Sequence, residues 1–461
     1  MGRLINQEDN YSANFGAVFR SSSIFYKPKN IKTTISFSNY WEFKNNLSVG
    51  LVISIRDMKG TLILRKEVSF SNSNVINYIV SEVEEGSIEV EAFSNANLRI
   101  PYAAIMVVYE TENGVSMVHT YGRNHSLIEL EDDKAIVEAH ESCWSLRTDN
   151  NITNKAVFHN GHVPIDAQQA IFIVTRDDGK EKKINFKIPS IMPFETIIFN
   201  AEEIVPNLKK FLSDHYGWGT LHFNSNSSFT RLLILWENKA SKEIQVTHSN
   251  FDYSSHQTNI INSSKPAYMA LPTVYGKIPN VVIYPKFSVG TYKVNEKLEF
   301  SNGTVLKDNK DNLEFTRADG KLPARIVTAI SNKFKSDTTL PYECSMGVLH
   351  EKRPPKRFHW FLISANLPTK IHLTSYKEIY PISKPIDLVL KLYSDTTKKI
   401  DEKIISFNSL DDLPEEIDVT EIFNLDCVKS FGYISIFCHY GGLFFYSSLR
   451  KGNSLTLEHS F

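Results

Sequence analysis

Cysteine is scarce in this sequence of 461 residues. The four cysteines are far apart, at Cys143, Cys344, Cys427 and Cys438. None of them shows the C-x2-C spacing of a structural zinc site, and a chain of this length does not need a disulfide framework. We therefore interpret the four cysteines as buried free thiols.

The sequence also has almost no excess of either charge. Its 51 Lys and Arg residues balance 52 Asp and Glu residues, which gives a formal net charge of −1. No overall field therefore favours nucleic acid or an anionic membrane. The sequence contains no apolar run of about 18 residues and no apolar segment behind a basic start. These absences predict a cytoplasmic protein with no membrane partner.

Standard catalytic signatures are missing as well. The sequence has no Gly-rich phosphate loop, no G-x-S-x-G motif and no H-E-x-x-H motif. Phosphoryl transfer on a P-loop and hydride transfer on a doubly wound fold are therefore not expected. Whether the protein is an enzyme stays open, because a site assembled from distant segments leaves no such motif.

Aromatic residues, by contrast, are plentiful, with 29 Phe and 20 Tyr. Together with many Ile, Val, Thr and Ser residues they favour sheet. Short alternating segments separated by turn residues predict antiparallel strands. Apolar spacing also predicts a helix over 200–214, and we expect a short helix over 419–429. We predict a mainly β protein, built of antiparallel β-sandwich or jelly-roll-like modules with a few short helices.

An internal repeat is the most informative pattern in the sequence. Three strand-like segments end in a histidine followed by a hydroxyl residue, at His119-Thr120, His248-Ser249 and His459-Ser460. A strand containing glycine lies 33, 29 and 27 residues upstream of these histidines, at Gly86, Gly219 and Gly432. The recurrence of both features predicts three tandem copies of one module.

The repeat divides the chain into segments. We predict an N-terminal arm over 1–25, β modules over 26–130, 140–255 and 346–461, and a strand-rich insertion or small fourth β module over 265–345. Three similar modules can pack in a row or close around a pseudo-threefold axis. Closure would protect the sheet edges better.

The three repeated histidines form a candidate metal site if the modules close around an axis. Equivalent strand ends then meet, and His119, His248 and His459 would present three neutral imidazoles with an open position to zinc or non-haem iron. The adjacent hydroxyl groups would support the ligands or hold a water molecule. The alternative is that duplication copied a structural hydrogen bond into each module.

Two further segments are candidate ligand-binding sites. In an extended segment, Tyr121, Arg123 and His125 would share a face and line a groove for a carboxylate or phosphate. His159 and His162 lie three residues apart in a loop, a spacing that allows chelation. A solvated strand face and an ordinary turn are the respective alternatives.

These patterns lead to two functional hypotheses. The first is a binding or assembly protein that recognises a glycan, a small anionic ligand or a protein partner through module surfaces. The second is a metal-dependent enzyme that uses the three histidines, with zinc or iron as cofactor. A pseudosymmetric shell protein is a third class. The basic segment 352–360 has aromatic residues beside cations, but we interpret it as a solvated or intermolecular surface and do not expect nucleic acid.

Overall fold

The structure is a computed structural model that describes residues 18–96, 98, 105–119, 121–124, 142–148, 151–225, 231–250, 260–262, 265–285, 291–296, 298–300, 302–323, 326–332, 340–349, 355–381 and 385–460. Within these residues the chain is mostly β, with antiparallel four-stranded sheets and four short α-helices. This confirms the predicted fold class. In the same ranges, no helix has the length and apolar character needed to cross a membrane.

The first eight strands form a sandwich over 19–119, called sandwich 1. Its elements are β1 (Phe19–Lys27), β2 (Lys32–Ser38), α1 (Tyr40–Asn45), β3 (Gly50–Asp57), β4 (Leu62–Val68), β5 (Val75–Ile79), β6 (Gly86–Ser94), β7 (Ile105–Glu110) and β8 (Val115–His119). The two antiparallel sheets have the orders β1-β6-β3-β4 and β5-β2-β7-β8. Their facing apolar residues, such as Ile35, Val90 and Val107, share one core.

Sandwich 2 covers 143–248. Its elements are β9 (Cys143–Leu146), β10 (Ile152–His159), β11 (Gln168–Arg176), β12 (Glu181–Ile188), β13 (Thr196–Asn200), α2 (Ala201–Ile204), α3 (Leu208–Leu212), β14 (Gly217–His222), β15 (Leu233–Asn238) and β16 (Ile244–His248). The sheet orders are β12-β11-β14-β9 and β13-β10-β15-β16.

Sandwich 3 covers 267–347, preceded by the short strand β17 (Ile260–Asn262). Its elements are β18 (Ala267–Ala270), β19 (Asn280–Ile283), β20 (Tyr292–Val294), β21 (Leu298–Phe300), β22 (Thr304–Leu306), β23 (Asn312–Arg317), β24 (Lys321–Pro323), β25 (Val327–Ser331) and β26 (Cys344–Gly347). The sheet orders are β18-β23-β20-β21 and β22-β19-β25-β26, and β17 pairs with β24.

Sandwich 4 covers 358–459. Its elements are β27 (Phe358–Ser364), β28 (Thr369–Ser375), β29 (Ile386–Tyr393), β30 (Asp401–Phe407), a 3-10 turn (Leu410–Asp412), β31 (Glu416–Asp418), α4 (Val419–Ile422), β32 (Phe431–Cys438), β33 (Leu443–Lys451) and β34 (Ser454–His459). The sheet orders are β27-β32-β29-β30 and β31-β28-β33-β34.

One strand order recurs in all four sandwiches of the described chain. Counted from the first strand of each, and leaving aside β17 and β24, it is 1-6-3-4 in one sheet and 5-2-7-8 in the other. The segment interpreted as an insertion or a small fourth module therefore shares the strand order of the three recognised copies. The exact module boundaries stay a prediction.

The glycines of the repeat lie in the sixth strand of their sandwiches, where neighbouring groups come very close. A Cβ atom on Gly86 would lie 2.0 Å from the carbonyl oxygen of Arg56, and one on Gly432 would lie 2.8 Å from that of Tyr393. Both distances are too short for a side chain. Glycine therefore allows the sixth strand to pack closely on the third.

The two predicted helices are shorter in the structure. Over 200–214 the chain forms α2 and α3, separated by Pro206 and by Asn207, which has a φ of 60°. Proline supplies no backbone N–H, so a single continuous helix is interrupted there. The second predicted helix ends at Ile422, after one turn.

The last strands of the four sandwiches meet. β8 packs against β16 and β34, and β26 packs against the same two strands. Each of these strands is at the edge of its own sheet, and an edge leaves backbone groups without a partner strand. The sandwiches thus close in a ring of four terminal strands, and the ring is not threefold.

Hydroxyl side chains provide partners for the backbone groups of these edges. The N–H of Met117 in β8 donates to Thr456 Oγ1 in β34 at 3.1 Å. The N–H of Val246 in β16 donates to Ser116 Oγ in β8 at 2.9 Å. The edge strands therefore meet through side-chain hydrogen bonds and do not merge into one continuous sheet.

Gln245 on β16 connects three of the sandwiches. Its side chain is buried, and its Nε2 donates to the carbonyl oxygens of Val115 at 3.1 Å and Leu455 at 3.2 Å. Its Oε1 accepts a hydrogen bond from Ser116 Oγ at 3.1 Å. These bonds fix the positions of β8, β16 and β34 relative to one another, because a buried amide is stable only when its groups are paired.

We expect Gln245→Leu to destabilise the protein, since it leaves the carbonyl groups of Val115 and Leu455 and the Ser116 hydroxyl without this partner. Each buried polar group that loses its partner costs about 1–3 kcal/mol. Thermal unfolding measures the effect. Gln169→Leu, at an exposed position of β11, is the control, and equal melting temperatures for the two variants would contradict the role of Gln245.

Candidate metal centre

The ring of four terminal strands brings the three repeated histidines into contact. His119, His248 and His459 are the last residues of β8, β16 and β34. The ring centroids of His119 and His248 are 4.7 Å apart, and those of His119 and His459 are 4.8 Å apart. Two imidazoles on one ion, with metal–nitrogen bonds of about 2.0–2.1 Å, have ring centres about 5 Å apart. In this three-His cluster, the spacing of His119 from each of the other two rings therefore fits a shared ion.

Backbone carbonyl groups orient two of the rings. His248 Nδ1 donates to the carbonyl oxygen of Ser249 at 2.8 Å, and His459 Nδ1 donates to that of Ser460 at 3.1 Å. A carbonyl oxygen only accepts, so Nδ1 carries the proton and the lone pair of each neutral ring lies on Nε2. Metal-binding histidines commonly have this arrangement, in which the second nitrogen donates to a carbonyl or carboxylate.

A carboxylate takes the same position at the third ring. His119 Nδ1 lies 3.1 Å from Glu458 Oε2, and both side chains are buried. When Glu458 is ionised it can only accept, so His119 also donates through Nδ1. Ligand-type atoms of His119, Glu458 and His459 lie within 4.8 Å of one another. Glu458 therefore belongs to the same centre.

The hydroxyl groups beside the histidines have partners outside the cluster. Ser249 Oγ accepts a hydrogen bond from the backbone N–H of Leu232 at 2.8 Å. Ser460 Oγ lies 2.7 Å from His359 Nδ1. The hydroxyl groups of Ser249 and Ser460 were expected to support the histidine ligands. The backbone carbonyl groups of the same two residues take this role instead. Thr120 lies outside the described residues.

Burial determines the charge of the cluster. Burial lowers the pKa of His248 well below its usual range, and Arg231 and His119 act in the same direction. Burial, together with His119, lowers the pKa of His459 to about 4. Both rings are therefore neutral at neutral pH, the form in which imidazole binds a metal. Burial also raises the pKa of Glu458 to about 7.

A cavity of about 430 Å³ opens beside the cluster. The three histidines contribute to its wall, as do two cationic side chains, Arg231 and Lys356. The other lining residues are Ser345, Met346, Gly347, Leu349, Tyr376, Phe444, Phe445, Tyr446 and Ser460. A cavity of this size beside a cluster of polar groups is typical of small-molecule sites.

Sandwich 3 has a glycine where the other sandwiches have a histidine. β26 ends at Gly347, as β8, β16 and β34 end at their histidines. Because glycine has no side chain, the end of β26 leaves free the space that a histidine fills at the ends of β8, β16 and β34. Gly347 also lines the cavity. The ring of four strands therefore presents three imidazoles and one opening.

The second predicted site is not an open groove. Tyr121 and Arg123 are 0% and 5% exposed. Gly122 between them pairs with Ile24 of β1, which places this segment against sandwich 1. His125 lies outside the described residues. The segment therefore offers no accessible face for a carboxylate or phosphate at Tyr121 and Arg123.

Tyr121 and His159 instead form a buried pair between sandwiches 1 and 2. Tyr121 Oη accepts from the N–H of Tyr26 at 2.7 Å and donates to His159 Nε2 at 2.8 Å. His159 Nδ1 donates to Thr196 Oγ1 at 2.8 Å. Burial lowers the pKa of His159 to about 3. His162 lies half-buried in the bend that follows.

The basic segment 352–360, interpreted as a solvated or intermolecular surface, is described only from Pro355 onwards. Lys352 and Arg353 lie outside the described residues, and Arg357 is exposed. Lys356 is half-buried, and its Nζ donates to the carbonyl oxygen of Ser460 at 2.9 Å. Burial lowers the pKa of Lys356 to about 8. One cation of the segment therefore faces the cavity.

A second group of ligand-type residues lies at the surface of sandwich 2. Its members, Asp177, Asp178 and His215, have ligand atoms within 4.8 Å of one another. Arg176 pairs with Asp178 at 2.7 Å, and His215 Nδ1 lies 2.6 Å from Asp177 Oδ1. The Arg176–Asp178 ion pair and the His215–Asp177 contact therefore account for this group.

Comparisons with known proteins give no family. No protein-family model matches the chain, and the search of curated proteins found no match. The solved structures with weak similarity include two of Bacteroides uniformis enzymes: β-glucuronidase 2 covalently bound to cyclophellitol-6-carboxylate aziridine, and β-glucuronidase. The identities are 10% and 8%, and both TM-scores are 0.13. Each alignment covers 54% of this chain and 28% of the other. TM-scores this low carry no information on function.

We expect the contribution of His159 to stability to depend on pH. Its pKa is lower in the folded chain than the usual value of about 6.5, so the unfolded chain binds the extra proton. The contribution of His159 to the free energy of unfolding is complete above a pH of about 6.5. It decreases as the pH falls towards 3, by up to about 1.4 kcal/mol per pH unit. Denaturant unfolding of the wild type and His159→Gln, compared at pH 7 and pH 5, measures it. A stability difference that does not shrink at pH 5 would contradict this assignment.

Proposed function

We propose that the chain is a metal-dependent protein that holds one divalent transition-metal ion between His119, His248 and His459. The contact of three imidazoles from three separate sandwiches carries this proposal. Each Nδ1 has an acceptor, so each ring has its Nε2 lone pair available to a metal. A structural hydrogen bond copied by duplication would give three separate bonds, and it does not require the rings to meet.

Zinc is the ion that this set of ligands favours. Three histidines with an open fourth position are a known catalytic zinc arrangement. Ferrous iron in oxygenases more often has two histidines and one carboxylate. We assign Glu458, which hydrogen-bonds to His119, as a support of that ligand, and on this assignment the three-histidine arrangement fits better. Iron is the second candidate.

The arrangement also favours a catalytic centre over a structural one. Structural zinc sites have four protein ligands, whereas catalytic sites keep one position open. Here the opening at Gly347 joins the cluster to the cavity. Zinc bound there would supply Lewis-acid chemistry to a small molecule in the cavity. Recognition of a glycan or protein partner through module surfaces stays a prediction. Purified protein that contains no metal would favour this binding hypothesis over the metal centre.

We expect purified protein to contain a near-stoichiometric amount of zinc by elemental analysis. His119→Gln, His248→Gln and His459→Gln each remove one of three ligands and should lose most of the metal on dialysis. Chelation of the ion should lower the melting temperature of the wild type, because an ion that binds the folded chain stabilises it.

The surface group of sandwich 2 provides a matched control for these variants. His215→Gln should keep the full metal content, since that group lies outside the three-His cluster. Stable protein without any metal, or loss of metal from His215→Gln alone, would overturn the proposal. A near-stoichiometric content of iron would keep the centre and change its ion.

We expect Glu458→Gln to weaken metal binding by about tenfold, while the three-His variants lose it almost completely. Removal of a partner that orients a ligand typically costs 10–100-fold, or about 1.4–2.7 kcal/mol, in metal affinity. Competition with a chelator of known affinity measures the change. A loss as complete as that of His248→Gln would show that Glu458 is itself a ligand, and unchanged affinity would remove it from the centre.

A further inference from the structure

The wall of the cavity beside the three-His cluster is positively charged. Lys356 lies beside His459, and its Nζ donates to a neutral acceptor, the carbonyl oxygen of Ser460. Arg231 contributes a second cation close to His248. Among the described residues that line the cavity, none is acidic. The charge of this wall is therefore complementary to an anion.

Aromatic residues form another part of the cavity wall. Tyr376 and Phe444 pack edge to face, with ring centroids 4.9 Å apart at 65°. Phe445 packs in a similar way on His359, at 4.8 Å and 64°. Neighbouring rings hold this wall in place, and aromatic side chains prefer such offset or perpendicular contacts with a further ring. The wall therefore suits a flat, apolar group.

The size and position of the opening limit the ligand further. The cavity measures about 430 Å³, which is at the lower end of the range for small-molecule pockets. Gly347 leaves the cavity open towards the three histidines. A molecule in the cavity thus lies between the metal centre, the cationic wall and the aromatic wall.

We infer that the cavity binds a small aromatic carboxylate, with the carboxylate towards Lys356 and Arg231 and the ring against Tyr376 and Phe444. The inference rests in part on the proposed metal function, because it identifies the class of ligand presented to that centre. The cationic and aromatic walls do not themselves require the ion. Charge-assisted hydrogen bonds to the carboxylate provide most of the selectivity over a neutral analogue.

Calorimetric titration of the purified protein tests the inference, with its metal content measured beforehand. The probes are benzoate, benzyl alcohol as a neutral analogue, and acetate as a carboxylate without a ring. Benzoate should bind at least about tenfold more tightly than either of the others, because each of them lacks one of the two contacts. Equal binding of benzoate and benzyl alcohol would overturn the inference.

Variants at two positions make the test specific. Lys356→Met should weaken benzoate binding about tenfold without changing that of benzyl alcohol, and Lys356→Arg should restore much of the loss. Gly347→His should fill the opening and abolish benzoate binding while the metal content remains. Full benzoate affinity in Lys356→Met would contradict the assignment of the carboxylate.

The same measurements separate this inference from the proposed function. Metal-containing protein that does not bind benzoate would refute the ligand class and leave the metal centre in place. Metal-free protein that binds benzoate in a Lys356-dependent manner would refute the metal centre and support the ligand class.

Discussion

The edges of four terminal strands must find hydrogen-bond partners where water is excluded, and the rest of the structure depends on this constraint. A buried N–H without a partner is costly. Hydroxyl and amide side chains of neighbouring sandwiches satisfy this requirement, as at Met117 with Thr456 and around Gln245. The need for such partners explains why strands in the centre of the molecule carry Ser, Thr and Gln between apolar residues.

This closure also creates the candidate site. The side chains at the ends of the terminal strands lie close to one another, so three equivalent histidines form one cluster, in which burial keeps His248 and His459 neutral. The fourth strand end breaks the symmetry. Because Gly347 has no side chain, the three-His cluster opens to the cavity at this position. The ring of four terminal strands is therefore accessible from one side.

Much of this organisation could be predicted from local patterns. The equivalence of His119, His248 and His459 follows from their position at the ends of similar strands, and the upstream glycines have a steric cause, as at Gly86. Sandwich 3 could not be recognised as an equal copy, because its last strand ends at Gly347 and several of its strands have three or four residues. Its terminal strand lacks the histidine that identified the others.

The sequence by itself determined the β fold, the antiparallel pairing and the equivalence of the strand ends, because these depend on side-chain alternation and on turns between neighbouring segments. Only the tertiary structure decided that four edges close into one ring and that the histidines touch. It also brought in Glu458, whose position next to His459 would place it on the opposite face of a strand, and Arg231. Contacts between residues more than 100 positions apart depend on how whole sandwiches satisfy their edges, and no local pattern contains that information.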